Sequence, residues 1–137
     1  LVLPNMKKSK FGRIINIIST SVKIPINGLG VSNTIRGAVA NWSKTLANEV
    51  GKFNITVNNI LPGFTNTPRL SSLMENMSEK QKKPLADIKK NIISSVPLQR
   101  LGTVEDIAYI TSFLASSKAS YISGTNIPVD GGRTGSL

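Results

Sequence analysis

The chain has 137 residues, 39% of them hydrophobic, which suffices for one small globular domain, and it carries a net charge of +10 with no His and no Cys. That composition excludes disulfides and thiolate chemistry and removes the commonest neutral-pH base and metal ligand, and the seven acids are too scattered to gather a metal, so no metal site is expected. No apolar run approaches the roughly 18 residues that span a bilayer, so a soluble, cytoplasmic protein with no membrane partner is expected.

A strongly basic balance raises nucleic acid as a partner. The charges fall in two clusters, Lys7, Lys8, Lys10 and Arg13, then Lys80, Lys82, Lys83, Lys89 and Lys90. Neither has the repeated aromatics that base stacking requires, so solvated surface is the reading and no nucleic-acid partner is expected. The first acid is Glu49.

In chain order, Leu1 to Ser9 reads as the end of a helix. Gly12 to Ile18 has the β-branched content of a buried strand and delivers Ser19 to its carboxyl end, where open α/β sheets place their chemistry. Gly28 to Gly51 reads as a long helix stopped by Gly51. Val31, Ile35, Ala38, Val39, Trp42, Leu46 and Val50 follow helical spacing and are expected to face the sheet. A second row, Ala40, Ser43 and Ala47, is small enough to admit another helix, either in an oligomer or within the chain.

The pattern then repeats. Asn54 to Leu61 is a second strand, closed by Pro62-Gly63. Arg69 to Ser95 is polar, Lys-rich and helical in character, with an interruption at Pro84. Thr103 to Ser116 is a helix capped by Thr103 with Asp106 three residues on; Val104, Ile107, Ala108, Thr111 and Leu114 make its expected buried stripe. Thr125 to Val129 is a third strand. Alternating strands and helices imply parallel strands joined by right-handed crossovers, an α/β layered sheet. Three strands are few for such a sheet, and the first residue is Leu1, so the chain is expected to be part of a larger domain.

Gly28-Leu29-Gly30-Val31-Ser32-Asn33 begins like a Gly-rich phosphate turn, but Asn33 stands at the third Gly and the segment does not directly follow a strand. Flexibility ahead of the helix is the better use of these glycines.

Several segments in order resemble the short-chain dehydrogenase/reductases: Gly12-Arg13-Ile14-Ile15-Asn16-Ile17-Ile18-Ser19, Val57-Asn58 with Pro62-Gly63 and Thr67, Val96-Pro97-Leu98-Gln99-Arg100-Leu101-Gly102, Phe113-Leu114-Ala115-Ser116, Tyr121-Ile122-Ser123-Gly124 and Val129-Asp130-Gly131-Gly132. The resemblance maps residues 1–137 onto the carboxyl-terminal half of a single Rossmann-like, doubly wound parallel-sheet domain of the 3-oxoacyl-carrier-protein reductase type. It implies NAD or NADP as cofactor, a small-molecule carbonyl or alcohol substrate, a homo-oligomer (tetramer or dimer), and a substrate lid at residues 69–95.

In that family a strand-end Ser is followed thirteen residues later by Tyr-x-x-x-Lys. Here Ser19 stands at the Ser, but the Tyr position holds Ser32 and the Lys position Arg36. The resemblance implies that Ser19 orients the carbonyl, that Ser32 positions a proton-carrying water, that Arg36 holds cofactor, and that Pro62, Gly63, Phe64, Thr65 and Thr67 approach the nicotinamide. A Ser hydroxyl does not ionise near neutral pH as a phenol can, and a guanidinium stays protonated, so binding survives these changes more easily than proton transfer. Neither Tyr109 nor Tyr121 is an obvious replacement acid. Two function classes follow: an NAD(P)-dependent oxidoreductase, acting on a carbonyl or alcohol such as a 3-oxoacyl thioester, and a non-catalytic nucleotide-binding or assembly subunit.

Overall fold

A computed structural model describes residues 1–136. Three strands, β1 (Gly12–Ile17), β2 (Ile55–Pro62) and β3 (Asn126–Val129), form one parallel sheet in the order β1-β2-β3. Helix α1 (Leu3–Ser9) leads into β1, and α2 (Gly30–Val50) connects β1 to β2. Helices α3 (Pro68–Gln81), α4 (Leu85–Ser94) and α5 (Val104–Ala115) lie between β2 and β3. This is the Rossmann-like arrangement expected, with apolar layers on both faces of the sheet.

β2 is the central strand, and its seven residues Ile55 to Leu61 are all buried, since both of its faces and both of its edges are covered. Ile55 and Val57 pack with Leu46, Ala47 and Val50 of α2. Leu61 joins Ile18 and Ala40 on the same face. Ile60 points the other way, against Leu114 of α5 and Ala119. Each such fully buried aliphatic contributes about 1.5–3 kcal/mol by leaving water.

The expected face of α2 holds in its second half, where Val39, Leu46 and Val50 pack on the sheet side, and fails in its first half. Its buried residues are Ala40, Ser43, Leu46, Ala47 and Val50, so the small row packs inward. Val31, Ile35 and Trp42 are 77%, 57% and 52% exposed. Small side chains let the helix approach closely enough for the Ser43 hydroxyl to donate to Asn59 Oδ1 at 2.8 Å. A bulky row in that position would hold the helix away.

That contact is part of a polar ladder inside the sheet. Register pairs Asn16 with Asn59 and Asn59 with Asn126. Asn16 Nδ2 donates to Asn59 Oδ1 at 3.0 Å and to Ser43 Oγ at 2.9 Å, while Asn59 Nδ2 donates to Asn126 Oδ1 at 2.7 Å. One buried carboxamide thus joins all three strands to α2.

The terminations also differ in detail. Gly51 continues from α2 into a 3-10 turn, Gly51–Phe53, and the chain reverses at Asn54, whose φ is 60°. Asn tolerates this left-handed conformation better than most residues, and Asn54 Nδ2 donates to Lys10 O at 2.9 Å. On α5 the inward residues include Ile107, Ile110 and Leu114, whereas Val104 and Ala108 are exposed.

The cap of α5 has a consequence for pH. Thr103 Oγ1 accepts from Asp106 N at 3.2 Å, and Asp106 Oδ2 accepts from Thr103 N at 2.8 Å and from Arg100 Nη1 at 2.8 Å. The hydrogen bond from Arg100, then that from the Thr103 amide, holds the Asp106 carboxyl down at about 2, against an ordinary 3.8. A carboxyl lowered on folding stabilises fully above its unfolded value, and that contribution is lost as pH falls through the folded value. Asp106→Asn in the full-length protein is therefore expected to lower the melting temperature at pH 6, with the gap from the native protein closing between pH 4 and pH 2 in a thermal-denaturation series.

Candidate functional site

β1 ends on Ile17, and the next amide is still held by the sheet: Ile18 N donates to Ile60 O at 2.9 Å. Ser19 then leaves in an extended conformation, φ −170° and ψ 152°, and caps a 3-10 turn, Thr20–Val22. Its Oγ accepts from Ser21 N at 3.1 Å. With that lone pair engaged, the hydroxyl proton remains available to an acceptor. Ser21 is buried, and its own hydroxyl has no hydrogen-bond partner.

Ser32 and Arg36 lie one turn apart at the start of α2, and both are partly buried. They line one open depression with Gly28, Leu29, Gly30 and other first-turn residues. Arg36 Nη1 donates to Ile17 O at 3.3 Å, which brings the guanidinium to the end of β1, two residues before Ser19. Among the described residues no hydrogen bond joins Ser19 to Ser32. Tyr109 is 73% exposed on α5 and Tyr121 is fully exposed, so neither phenol is buried in a site.

On the neighbouring strand, the segment after β2 is tightly pinned. Gly63 N donates to Val129 O, Gly102 N to Phe64 O, and Asn66 N to Gly102 O, at 2.8–3.0 Å. At Gly63 a Cβ would lie 2.6 Å from Asp130 Cβ, so any side chain there would displace the turn after β3. Arg133 stacks on the Phe64 ring, 4.5 Å from its centroid. The supports leave the amides of Phe64 and Thr65 unused by the sheet. Thr67 is the N-cap of α3: its hydroxyl accepts from Leu70 N at 3.4 Å and donates to Thr65 O at 3.3 Å. A cavity of about 290 Å³ lies against this segment, reaching Val96, Arg100 and Asp130. The Ser32 and Arg36 depression is separate from it.

Residues 69–95 form two helices packed on each other and divided ahead of Pro84, as the expected interruption there implies. Leu70 and Met74 of α3 meet Ile88 and Ile92 of α4, with Phe64, Met77 and Leu101 against them. Leu73 and Leu85 stay exposed. The hairpin turns at Lys82, φ 52°, where Ser78 Oγ donates to Lys83 O.

Sequence reasoning missed the Asn16, Ser43, Asn59 and Asn126 ladder. Its signal was present: amide side chains inside otherwise β-branched strands require buried partners. No cluster of metal ligands occurs among the described residues, and none of their helices is long and apolar enough to cross a membrane.

The geometry has known counterparts. The family model described as Enoyl-(Acyl carrier protein) reductase matches residues 1–134. The NADPH-dependent reductase BacG of Bacillus subtilis is 37% identical over 132 residues, covering 96% of this chain and 51% of that protein. The 3-oxoacyl-[acyl-carrier-protein] reductase FabG of Haemophilus influenzae is 40% identical over 131 residues, covering 96% and 50%. The solved structure of YwfH, described as an NADPH dependent reductase involved in bacilysin biosynthesis, superposes with a TM-score of 0.89 at 38% identity, over 96% of this chain and 50% of that one. The chain spans about half the length of the relatives it matches. With a family model matching almost its full length and a solved reductase structure superposing over 96% of it, the chain belongs to the short-chain dehydrogenase/reductase family.

Proposed function

We propose that the full-length protein is an NAD(P)-dependent oxidoreductase that interconverts a carbonyl and an alcohol, and that residues 1–137 are the carboxyl-terminal part of its single domain. The observation that carries this reading is the end of β1: Ser19 keeps a proton to donate while Arg36 is anchored on Ile17 O beside it. The residues fit the nicotinamide half of the cofactor. Arg36 has guanidinium N–H groups beyond the one on Ile17 for ribose hydroxyls, and Phe64 and Thr65 offer amides, with Pro62 and Gly63 shaping the approach. The bound cofactor supplies or accepts hydride. Ser19 donates to the substrate oxygen and stabilises charge that develops there. Ser32 orients a water that carries the proton, because its side chain is too short and too weakly acidic to act as a phenol would.

The names of the acyl-carrier reductases among the relatives favour a 3-oxoacyl thioester as substrate. Lys82, Lys83, Lys89 and Lys90 are exposed on the α3–α4 hairpin, as an acidic carrier would require, and Leu73 and Leu85 on its surface are suited to a lid. The outward row Val31, Ile35 and Trp42 supports a homo-oligomer. A cytoplasmic setting accords with a cofactor-dependent reductase.

The second reading, a nucleotide-binding or assembly subunit without turnover, is favoured by one observation: no phenol stands at the start of α2. Converting Ser32→Tyr together with Arg36→Lys in the full-length protein separates the two. If Ser32 and a water already deliver the proton, the native protein turns over, and the double variant changes that rate and its pH profile. NADPH oxidation that is absent in the native protein and arises only in the double variant would establish the second reading.

A further inference from the structure

Asn27 is the one Asn of the chain that precedes a Gly. An Asn carboxamide is open to attack by the backbone nitrogen of the next residue, and only Gly leaves that nitrogen unshielded by a side chain. Asn27 and Gly28 form the tip of a turn in which Leu29 N donates to Ile26 O at 3.2 Å and Gly28 has φ 79°, the positive value required at the third residue of a type II turn. Both residues are exposed, and a Cβ at Gly28 would meet nothing within 4 Å. Among the described residues neither the Asn27 carboxamide nor the Gly28 amide has a hydrogen-bond partner. The base of the turn is anchored instead: Asn33 Nδ2 donates to Ile26 O at 2.9 Å, and Ile26 N donates to Asn33 Oδ1 at 3.4 Å.

The chain holds one comparable pair, Asp130-Gly131, and there the structure opposes the reaction. Oδ1 and Oδ2 of Asp130 accept from Gly132 N and Thr134 N at 3.1 and 2.8 Å, and a Cβ at Gly131 would lie 2.6 Å from Val96 Cγ1. Local order, and not dipeptide identity alone, therefore selects Asn27.

We propose that Asn27 is a site of spontaneous covalent modification, and that its product lowers affinity for the cofactor. The Gly28 nitrogen, on losing its proton, bonds to Asn27 Cγ as the C–N bond of the carboxamide breaks and ammonia leaves. Water then opens the cyclic imide at either carbonyl, giving aspartate or isoaspartate; no oxidant or reductant enters. A neutral side chain has become an anion. Gly28 lines the depression in which Arg36 is the single charged residue, so the new carboxylate arises at its mouth, where it competes for the guanidinium and repels an anionic dinucleotide. The consequence for the cofactor rests on the reading of Arg36 as its holder, and the modification itself does not.

The test incubates the full-length protein without cofactor in mildly alkaline buffer, which promotes the first step, for long enough to convert the free peptide Ile24 to Val31. Peptide mapping by mass spectrometry follows the modification, and calorimetry follows NADPH binding. Asn27 is expected to convert ahead of every other Asn, with Asp130-Gly131 unchanged. NADPH affinity is expected to fall about 3-fold in step with conversion, the scale of one exposed charge pair. Asn27→Asp carries the charge from the outset and is expected to show that loss without incubation. Asn27→Gln, whose longer side chain closes the larger ring far more slowly, is expected to keep native affinity throughout. Asn27 left intact while the free peptide converts overturns the proposal. So does full conversion with unchanged affinity, and so does an equal loss on incubation in Asn27→Gln. Fresh native protein that does not bind NADPH removes the cofactor reading and the affinity half of the proposal, while the peptide map decides the covalent half on its own.

Discussion

Asn59→Ala is expected to destabilise the full-length protein by about 3 kcal/mol in chemical denaturation, more than the loss of one ordinary hydrogen bond. Asn59 is 2% exposed, and its carboxamide accepts from Asn16 and Ser43 and donates to Asn126. Truncation removes three hydrogen bonds, empties a buried site and strands Asn126 Oδ1, while Asn16 Nδ2 keeps Ser43 Oγ and the Ser43 hydroxyl keeps Val39 O. Ser43→Ala is the informative contrast: Asn59 Oδ1 keeps its bond from Asn16, so the cost is about 1 kcal/mol. Equal costs for the two variants would show that the ladder is not organised around Asn59.

Ser19→Ala is expected to lower the rate of carbonyl reduction by about 100-fold with the fold preserved, the scale seen when one preorganised donor to a developing oxyanion is removed. Ser19 is partly exposed, and its main structural contact is the Ser21 amide. Loss of that turn bond costs about 1 kcal/mol. Single-turnover kinetics with NADPH in excess reads the chemical step, and far-ultraviolet circular dichroism checks the fold. A rate within 3-fold of native would move the carbonyl-orienting role elsewhere.

Much of the fold was legible because its elements carry strong local signals. The β-branched runs at Ile14 to Ile18 and Ile55 to Leu61, the Thr103 and Asp106 cap and the Pro62-Gly63 exit each report local physics, and each is found where expected. The orientation of α2 was legible only in part: Val39, Leu46 and Val50 face the sheet as expected, and Val31, Ile35 and Trp42 do not. Hydrophobic periodicity selects the bulkier row, whereas close approach to β2 and the partners required by Asn16 and Asn59 select Ala40, Ser43 and Ala47. That choice depends on residues far apart in sequence. The interruption at Pro84 was visible, but the packing of Met74 against Ile88 was not, because periodicity within one helix does not report its partner.

The candidate site was legible to a similar degree. Ser19, Ser32 and Arg36 were readable from spacing against the family pattern, and the structure adds the Arg36 bond to Ile17 and the engaged lone pair of Ser19. Thr67 carries a further, structural role that the motif does not show: its hydroxyl caps α3. Side-chain hydrogen bonds of that kind follow from the helix that forms behind the residue, and a motif alone does not contain them.

The central claim is that hydride and proton transfer persist with Ser32 and Arg36 in place of a phenol and an ammonium. The most direct measurement is NADPH and NADH oxidation by the purified full-length protein across a panel of carbonyl compounds that includes oxo acids and 3-oxoacyl thioesters. Substrate-dependent oxidation of either cofactor, lost in Ser19→Ala, is the predicted result. Binding of NADPH with no oxidation across the whole panel would contradict it.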